Sequence, residues 1–374
     1  MSALSLVLAG LGWPAGLWLL WHLPRCRPSA DASPPSDVSV VVPARDEEAN
    51  LPRLLASLAA TGAGVDLVVV DDHSSDSTAE VARRAGARVV PCPPLPSGWT
   101  GKAWACWTGS AATDRPVLVF LDADTEVEAG GLAALRAEHG HHGGLVSVQP
   151  FHRTERAYES LSAFFNVVAM MGVGAFTPLG NRRRPAGAFG PCLVCTRADY
   201  HLVGGHRAVR GEVVEDVALS ARFGQAGLPV TCFGGRGTIA FRMYGGGLRQ
   251  LVEGWSKNFA AGAGAARPAT VLLVAVWVGG CLSAVWPAGA ALAGLGALGL
   301  APALALYGVY AAQVRWMLGR LGRFRWWAAA LYPVPLAFFV AVFARSSYLT
   351  HVRREVRWRG RAVATGRRRG AGRR

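Results

Sequence analysis

The sequence predicts an α/β domain, residues 38–260, held between apolar segments of membrane length. Three observations predict this arrangement. Strand-like and helix-like segments alternate through residues 38–260. The chain of 374 residues is 51% hydrophobic and 17% charged, with mean hydropathy +0.26, which is apolar for a soluble protein. Three of the predicted strands lead into acidic or polar runs, "PARDEE", "DDHSSD" and "DADTE", so polar chemistry is expected at one edge of a sheet.

The first apolar segment, "ALSLVLAGLGWPAGLWLLWH" at 3–22, has about the length that a bilayer core requires. No basic stretch precedes it and no small-residue cleavage site follows, so residues 1–24 are predicted to be a transmembrane anchor rather than a signal peptide. Arg25 and Arg27 follow directly, and the positive-inside rule then places the N-terminus outside and the next domain in the cytosol. Residues 25–37, which include "SADASPPSD", are predicted to be a linker.

The central region reads as strands separated by helices. The predicted strands are "VSVVVPA" (38–44), "VDLVVVDD" (65–72), "ARVVPC" (87–92) and "RPVLVFLDAD" (115–124). The segments between the first three have helical spacing of leucines, as in "EEANLPRLLASLAAT", or begin with capping residues and end on glycine, as in "SSDSTAEVARRAG". Strands joined by such helices predict a parallel sheet with helices on both faces. Ligands of such sheets bind beyond the carboxyl ends of the strands.

A second apolar region, residues 261–349, is predicted to bring the chain back to the membrane. Residues 270–310 fit two spans with a break near "VWPAGA" (285–290). Residues 328–349 are apolar again but contain Pro333 and Pro335, so they either span the membrane or form a re-entrant segment. If residues 328–349 spanned the membrane, the basic tail, 350–374, would lie outside, against the positive-inside rule. We therefore favour the re-entrant alternative and a cytosolic tail.

Charge and cysteine content argue against two further classes of protein. The net charge is +15, and much of it lies in the tail; beside membrane segments, such a tail favours anionic lipid over nucleic acid. The tail has no base-stacking or groove-reading module, so no nucleic-acid partner is expected. The seven cysteines are scattered and odd in number, which predicts no disulfide framework. Cys192 and Cys195 form a lone C-x-x-C pair, which we interpret as small residues of a buried strand.

Lys102 stands in "GWTGKAWACWTG", where a glycine directly before a lysine suggests a phosphate contact. A P-loop is excluded by spacing, because Pro96 and Ala103 occupy positions that require a glycine and a hydroxyl residue. The chain uses arginine almost everywhere else, and lysine occurs only at Lys102 and Lys257. An ammonium is a compact charge that approaches a phosphate end-on, so both lysines are candidates for specific contacts. The alternative is that they are surface residues retained by chance.

Asp122 and Asp124 are separated by one residue where a predicted strand ends. Side chains at i and i+2 share a face if the strand persists. Two carboxylates there suit Mg²⁺ or Mn²⁺, which typically bind one or two carboxylates together with substrate phosphates. The alternative is an ordinary exposed loop, which the preceding buried run "VLVF" disfavours.

Two other acidic pairs follow predicted elements. Asp71 and Asp72 close the second strand, where a carboxylate accepts hydrogen bonds from a ribose or a base; capping of the next helix is the alternative for Asp72 and the preferred interpretation of Asp76. Glu215 and Asp216 begin an amphipathic helix in "GEVVEDVALSARF". They are candidates for general-base chemistry, or they merely complement the helix dipole.

Four motifs in this order, "VSVVVPARDEEANLPRLLASL", "LVVVDDHSSDST", "LVFLDADTEV" and "VVEDVALSARF", resemble those of family 2 glycosyltransferases with the GT-A fold, which is Rossmann-like. The resemblance covers residues 38–260. With "GWTGKAWA", "FRMYGGGLRQLVEGWSKN" and "VRWRGRA", the chain is similar to bacterial membrane glucosyltransferases that act on carotenoids, such as the diaponeurosporenoate and hydroxychlorobactene enzymes. It resembles ceramide and hopanoid glycosyltransferases more distantly.

The resemblance implies roles for the donor-binding residues. Asp124 would contact the metal, with Asp122 nearer the ribose. Lys102 is predicted in the loop between the third strand and the next helix, on the same edge of the sheet, and from that position we expect it to contact the pyrophosphate. The nucleotide base would lie among the residues of the first two strand ends, which are Pro43, Ala44, Glu47, Asp71 and Asp72.

The resemblance also implies a catalytic role for Asp216, which with Glu215 matches the family's E-D motif and would take the proton of the acceptor hydroxyl. His206 is expected to be structural. Many relatives carry Q-x-x-R-W near the membrane, but here the spacing from Gln250 to Trp255 is longer and the arginine is absent, which argues against a processive synthase. Trp255 and Lys257, with Arg242, are expected to take over its donor contacts; the alternative is an ordinary interfacial helix.

These observations predict an inverting, metal-dependent transfer of one hexose, expected to be glucose from UDP-glucose, to a hydroxyl or carboxyl of a membrane lipid. The enzyme is expected to be a multi-pass protein of the inner membrane with a cytosolic catalytic domain. Polyprenyl phosphate, a hopanoid or ceramide-like lipid, and a glycolipid are alternative acceptors. An inactive glycosyltransferase-like scaffold is the alternative of another class, and the intact Asp122, Asp124 and Asp216 argue against it.

Overall fold

The computed structural model describes residues 3–27, 35–62, 65–180, 183–294, 299–349, 355–358 and 361–364. A seven-stranded sheet in the order β3-β2-β1-β4-β8-β6-β9 forms the centre of the domain. Its strands are β1 (Val38–Ala44), β2 (Asp66–Asp71), β3 (Arg88–Pro91), β4 (Val117–Leu121), β6 (Leu145–Gln149), β8 (Cys192–Thr196) and β9 (Val230–Gly234). A smaller sheet in the order β11-β7-β10-β5 is made of β5 (Thr125–Val127), β7 (Phe151–Arg153), β10 (Ile239–Phe241) and β11 (Gly322–Arg323).

The sequence prediction of a parallel sheet is correct for β1 to β4 and wrong for the sheet as a whole. Strands β3, β2, β1 and β4 run parallel, whereas β8 is antiparallel to both β4 and β6. The reason lies in the chain just before β8. The amide of Asp122, at the end of β4, donates to the carbonyl of Pro191, so β8 begins where its neighbour ends and must run back. Cys192 and Cys195 are buried in this strand, as predicted.

Helices cover both faces of the large sheet. They are α2 (Leu51–Ala59), α3 (Thr78–Arg84), α4 (Gly101–Ala111), α5 (Gly131–His142), α7 (Arg197–Leu202), α8 (Gly205–Ala208) and α9 (Glu215–Gln225). The leucines of α2 recur at helical spacing and are all buried, so α2 packs with α3 and α5 on one face. Helices α4, α7 and α9 pack on the other face.

The remaining helices form a separate apolar cluster beside the domain. They are α1 (Ala3–Leu19), α6 (Ala163–Val173), α10 (Leu248–Ala263), α11 (Pro268–Leu292), α12 (Leu300–Leu321), α13 (Trp327–Ala330) and α14 (Pro333–Tyr348), with a 3₁₀ helix at Ala157–Ser162 before α6. Among the described helices, α11 alone is long and apolar enough to cross a bilayer by itself; α1 and α14 are shorter apolar helices.

The predicted break at 285–290 is wrong. Helix α11 continues through Pro287 to Leu292, and the second helix of the pair begins at Leu300. Proline removes one backbone donor, but an apolar helix packed against neighbours tolerates it. The helix ends at Leu292 instead, two residues before Gly294, whose φ is +70°.

The end of α1 is tied to the domain rather than followed by a free linker. The amide of His22 donates to the carbonyl of Phe176, and Arg25 forms a β-bridge with Gly234 at the end of β9. The first residues of the predicted linker 25–37 thus extend the sheet edge; its residues 28–34 lie outside the described part of the chain.

The segment after α12 first runs along α12 and α11, away from the domain, and then comes back to α10. Strand β11 pairs with β7, which fixes the end of α12 to the domain. The hydroxyl of Tyr307, in the first half of α12, then donates to the carbonyl of Ala330, and that of Tyr332 donates to the carbonyl of Cys281 in the middle of α11. Near the end of α14, Ser346 donates to the carbonyl of Ser256 in α10.

Candidate active site

The carboxyl ends of β1, β2 and β4 meet at one edge of the large sheet, where the acidic motifs were expected. At the β2 end, the amide of Asp72 donates to the carbonyl of Ala44, and the Asp71 carboxylate accepts from the amide of Ser74. Asp72 is buried and does not cap α3. That role belongs to Asp76, whose carboxylate accepts from the Thr78 amide at 2.9 Å.

Two residues of "PARDEE" support this edge. The Arg45 guanidinium lies 3.7 Å from the Asp72 carboxylate, and Arg45 was not among the residues expected in the site. Glu47 accepts from the side-chain amide of Asn50 at 2.8 Å, and its own backbone amide donates to the Thr78 hydroxyl. The loop after β1 is therefore pinned to the loop after β2, and Pro43 and Ala44 pair with Val70 and Asp71 across the two strands.

Asp122 and Asp124 follow β4 in a tight turn. The amide and hydroxyl of Thr125 both donate to the carbonyl of Asp122, which holds the turn closed. Burial, followed by the charges of Asp122 and Glu47, raises the pKa of Asp124 to about 7. The structure therefore brings three carboxylates close enough to resist ionising together.

Lys102 lies in the first turn of α4, not in a loop as predicted, because Thr100 caps the helix by accepting from the Ala103 amide. Its ammonium is 2.7 Å from an oxygen of Asp122 and 3.3 Å from an oxygen of Glu215. Burial by itself would lower the pKa of Lys102, but these two carboxylates hold it well above its usual value. The lysine is thus a charged bridge between two acidic motifs.

Glu215 and Asp216 begin α9, as predicted. One oxygen of Asp216 accepts from the amide of Gly190 at 2.7 Å, and the other accepts from the amide of Val217 at 2.9 Å. Burial, followed by the charge of Glu215, raises the pKa of Asp216 to about 7. A carboxylate held in this way is poised to exchange a proton near neutral pH.

His206 is buried and structural, as expected. Its Nδ1 lies 2.8 Å from the hydroxyl of Tyr200. Burial lowers the pKa of His206 to about 4, so the ring is neutral at physiological pH. A small cavity joins it to the other site residues; the lining includes Pro43, Lys102, Asp122, Gly190, His206 and Glu215.

Comparison with known proteins identifies the family to which this arrangement belongs. The family model described as glycosyl transferase family 2 matches residues 39–166. The chain is 35% identical over 330 residues to a 4,4'-diaponeurosporenoate glycosyltransferase of Staphylococcus haemolyticus, covering 87% of this chain and 88% of that protein. It is 34% identical over 330 residues to the protein of the same name from Staphylococcus aureus strain USA300, covering 87% of each.

The chain belongs to glycosyltransferase family 2. It is therefore a glycosyltransferase, as the motifs predicted. Among solved structures, a mannosyltransferase from Pyrobaculum calidifontis, in complex with GDP-Man and Mn²⁺, covers 92% of this chain and 98% of its own at 17% identity, with a TM-score of 0.55. At that identity the likeness shows the fold alone, which is the predicted GT-A fold with the mixed sheet described above.

Two of the predicted donor contacts of this glycosyltransferase, Trp255 and Arg242, have side chains that are engaged by other residues of the protein. The Trp255 ring is buried in the apolar cluster, where it stacks on Phe165 with centroids 4.8 Å apart, so the structure makes it a packing residue. Lys257 is in α10, and its side chain lies outside the described part of the chain. The Arg242 guanidinium lies 2.6 Å from carboxylate oxygens of both Glu155 and Glu159, and its backbone amide donates to the carbonyl of Asp124 at 3.3 Å.

Two residues that sequence reasoning missed contribute to the glycosyltransferase site. Gly190 donates its amide to Asp216, which no local pattern announces. Tyr244 has a φ of +60°, rare for a bulky residue, and its burial and the neighbouring Asp124 charge both raise the pKa of its phenol. A tyrosine directly before three glycines was the available signal, because such a run marks a turn with unusual backbone angles. The ring rests on α10 at Gly254, where a Cβ would overlap it.

Proposed function

We propose that this enzyme transfers a hexose from a nucleoside diphosphate sugar to a carotenoid-type lipid at the membrane surface. One observation carries the proposal: Lys102 bridges Asp122 at the donor edge to Glu215, the neighbour of Asp216, so that donor and acceptor chemistry share one site. The names of the two staphylococcal relatives support a carotenoid carboxylic acid as the acceptor. UDP-glucose is the donor that the resemblance favours.

The donor's base would lie at the strand edge formed by β1 and β2. Asp71 and Asp72 offer carboxylate oxygens there, and Pro43 and Ala44 provide the opposite wall. Asp72 is held by the backbone of Ala44 and by Arg45, so it need not reorganise when a base or ribose binds. This restraint supports a role for Asp72 in choosing the base.

The side chains at the end of β4 fit a divalent cation. The pKa of Asp124 is raised to about 7 partly by Asp122 and Glu47, and a dication relieves such repulsion. Among the described residues, no three histidine, cysteine, aspartate or glutamate side chains form a ready-made metal site. Asp124, with Asp122, would therefore hold Mg²⁺ or Mn²⁺ together with the donor's phosphates. When bound, the metal supplies positive charge that stabilises the departing diphosphate.

Asp216 would act on the acceptor. The acceptor oxygen attacks the anomeric carbon, the bond from that carbon to the diphosphate breaks, and the electron pair leaves with the nucleoside diphosphate. With a hydroxyl acceptor, Asp216 takes the proton; with a carboxylate acceptor, no proton needs to be removed. Attack opposite the leaving group inverts the anomeric centre. Two backbone amides, of Gly190 and Val217, keep the Asp216 carboxylate in one orientation throughout.

The apolar helices would place this chemistry at a membrane. Exposed apolar side chains cover α1, α11 and α12, among them Leu4, Leu11, Leu272, Trp286 and Leu304. We propose that these helices are embedded, in the inner membrane, with the domain in the cytosol. Their domain-side ends are fixed by His22, by the β11–β7 pairing and by Arg267, which directly precedes α11 and donates to the carbonyl of Arg184.

The apolar segment 328–349 would be re-entrant. Tyr307 and Cys281, its contacts, each lie 13 or 14 residues from the domain-side ends of their helices, which is about 20 Å at 1.5 Å per residue. The segment then returns to Ser256. This path supports the tail, 350–374, on the cytosolic side; apart from the backbone of a hairpin at Glu355–Trp358 and Arg361–Ala364, the tail lies outside the described residues.

The test is direct. Purified enzyme is incubated with a carotenoid carboxylic acid, Mn²⁺ and either UDP-glucose or GDP-mannose, and the lipid is weighed by mass spectrometry. With UDP-glucose, we expect the mass of the lipid to increase by one hexosyl residue. The Asp124→Ala variant is expected to give no such increase. Absence of product with every nucleotide sugar and lipid tested in the parent enzyme would support the inactive scaffold instead.

A further inference from the structure

A second cleft opens on the side of α8, α9 and the turn between them. Its volume is about 460 Å³, within the range of small-molecule sites. Three arginines line it, Arg207 from α8, Arg210 from the turn and Arg222 from α9, together with one acidic residue, Glu212. The lining therefore carries a formal charge of +2.

Among the residues that the structure describes, the three guanidinium groups lack the carboxylate partners that other arginines of the domain have. Surface arginines such as Arg88 and Arg136 lie within 3 Å of an aspartate. Within the part of the chain that the structure describes, no carboxylate lies within 4 Å of the cleft's three guanidinium groups. Arg207 lies over the ring of Trp107, 5.6 Å from its centroid, and Arg222 makes one long bond of 3.4 Å to the carbonyl of Val203. Most of their N–H donors face the cleft or solvent.

We propose that this cleft binds a phosphate-type oxyanion. A guanidinium presents paired N–H donors that match two phosphate oxygens, and three of them converging on one space favour a doubly charged group. The anion would come either from soluble phosphate or from the headgroup of an anionic lipid. Both sources supply the same tetrahedral group with charged oxygens.

A bound oxyanion would hold together the segment that leads into the catalytic helix. It would connect α8, the turn and α9 through one arginine of each. The carbonyl of Arg210 also accepts from the amide of Thr100 at 2.7 Å, and Thr100 caps the helix that carries Lys102. The cleft is thus one hydrogen bond away from the cap of the helix that carries Lys102, although neither Lys102 nor the acidic residues that it contacts line the cleft.

Both sources can reach this side of the domain. The Arg184 side chain packs on Gly224 near the end of α9, and Arg267 donates to the carbonyl of Arg184 at 2.6 Å. Arg267 directly precedes α11, the helix long enough to cross a bilayer. The end of α9 therefore lies close to the surface at which α11 would enter the membrane, while the exposed arginines remain open to solvent.

The test uses the full chain in dodecyl maltoside, a detergent without phosphate, and needs no enzymatic activity. Inorganic phosphate is titrated calorimetrically at constant ionic strength into the parent and the triple variant R207Q/R210Q/R222Q. The matched control, R83Q/R84Q/R249Q, removes the same charge from exposed positions elsewhere. We expect the parent and the control to bind phosphate alike and the triple variant to bind at least about tenfold more weakly, because one charged hydrogen bond typically strengthens binding by about tenfold or more.

A second arm distinguishes the sources. Native mass spectrometry counts phosphatidylglycerol molecules retained by each protein, with and without phosphate as a competitor. Loss of one retained lipid in the triple variant, together with competition by phosphate, identifies a headgroup site; unchanged lipid retention with lost phosphate binding identifies a soluble anion. Equal behaviour of the triple and control variants in both arms, or no binding by the parent, overturns the proposal. If the triple variant does not fold, as judged by circular dichroism, R207K/R210K/R222K replaces it, with weakened phosphate binding expected.

Discussion

The ammonium group of Lys102 lies between carboxylates of Asp122 and Glu215 that would otherwise repel each other across the site. Placing a cation in the first turn of a helix is unfavourable by itself, since the positive end of the helix dipole is there. The two carboxylates offset this cost and restrain the long side chain. At the residue scale, the site is therefore a set of mutually dependent charges rather than a row of independent contacts.

Lys102→Met keeps the apolar stem and removes the charge. We expect it to weaken the binding of UDP with Mn²⁺ by about tenfold or more and to lower turnover, because Asp122 and Glu215 would then repel the diphosphate without compensation. Lys102→Arg should recover part of the loss, since its forked head needs more room. Calorimetry and steady-state rates on both variants check this; UDP affinity and turnover equal to the parent's in Lys102→Met would remove the lysine from the site.

Asp216→Asn should lower kcat by a factor on the order of 10²–10⁴ with a hydroxyl acceptor, the usual range for loss of a general base. With a carboxylate acceptor the rate should change little, because there is no proton to remove. Parallel assays with a carotenoid alcohol and a carotenoid acid separate these cases. A large loss with both acceptors would mean that Asp216 does more than accept a proton.

The same substitution should stabilise the fold at alkaline pH. The pKa of Asp216 is raised from 3.8 in an unfolded chain to about 7 in the folded one, so ionising it costs folding free energy, fully above pH 7. The neutral amide of the variant carries no such cost. We expect a higher Tm for Asp216→Asn at pH 8, with the difference shrinking as the pH falls from 7 toward 4. A lower Tm at pH 8 would show that the carboxylate is net stabilising.

At the element scale, the loop before β8 positions α9, the helix that carries Asp216. Gly190 approaches α9 so closely that a Cβ on it would lie 2.8 Å from an oxygen of Asp216. Its amide donates to the same oxygen. The loop and the helix therefore fix the Asp216 carboxylate jointly, and the reversed direction of β8 is what brings the loop to this edge.

Gly190→Ala should lower kcat by about tenfold or more with a hydroxyl acceptor, because the added methyl displaces the Asp216 carboxylate, and general-base catalysis contributes about 10²–10⁴. Binding of UDP, at the other side of the site, should change less. Gly172→Ala in α6 is the matched control, since a Cβ there meets no atom within 4 Å. Steady-state kinetics on both variants test this. Equal kcat values for Gly190→Ala and Gly172→Ala would show that the loop moves to accommodate the methyl group without displacing the Asp216 carboxylate.

At the scale of the whole molecule, α1 and α11 are joined by close backbone approach. Gly12 of α1 faces Gly280 of α11, and a Cβ on Gly12 would lie 2.8 Å from the Gly280 Cα and 2.7 Å from the Tyr310 hydroxyl. That hydroxyl donates to the carbonyl of Ala9, so α12 locks the pair. Small residues of this kind let helices associate in lipid through packing and hydrogen bonds.

Gly12→Val should separate these helices, because the side chain overlaps backbone atoms that have no freedom to move. Gly10→Val, one residue before Leu11 on the open side of α1, is the matched control, since a Cβ there meets nothing within 4 Å. We expect a Tm several degrees lower for Gly12→Val than for Gly10→Val in detergent, consistent with a cost of about 1–3 kcal/mol for overpacking. Equal Tm values would contradict the packing described for α1.

The sequence by itself determined the family and the elements that the motifs lie on. Buried runs such as "VSVVV" and "VLVFL" predict strands because nearly every residue is apolar, and the acidic groups after them locate the edge of the sheet. Local capping also gave the role of Asp76. These features depend on residues close together in the chain, which is why periodicity and spacing reveal them.

The tertiary structure alone decided the partners of these groups. Several of these contacts join residues that are far apart in the chain. They are the antiparallel pairing of β8 with β4, the Gly190–Asp216 hydrogen bond, the contacts of Lys102 with Asp122 and Glu215, and the stacking of Trp255 on Phe165. The three arginines of the second cleft converge for the same reason. The packing of whole helices and strands decides which distant group a charged or aromatic side chain contacts. The free energy of that packing is shared among many contacts, and no short stretch of sequence contains them.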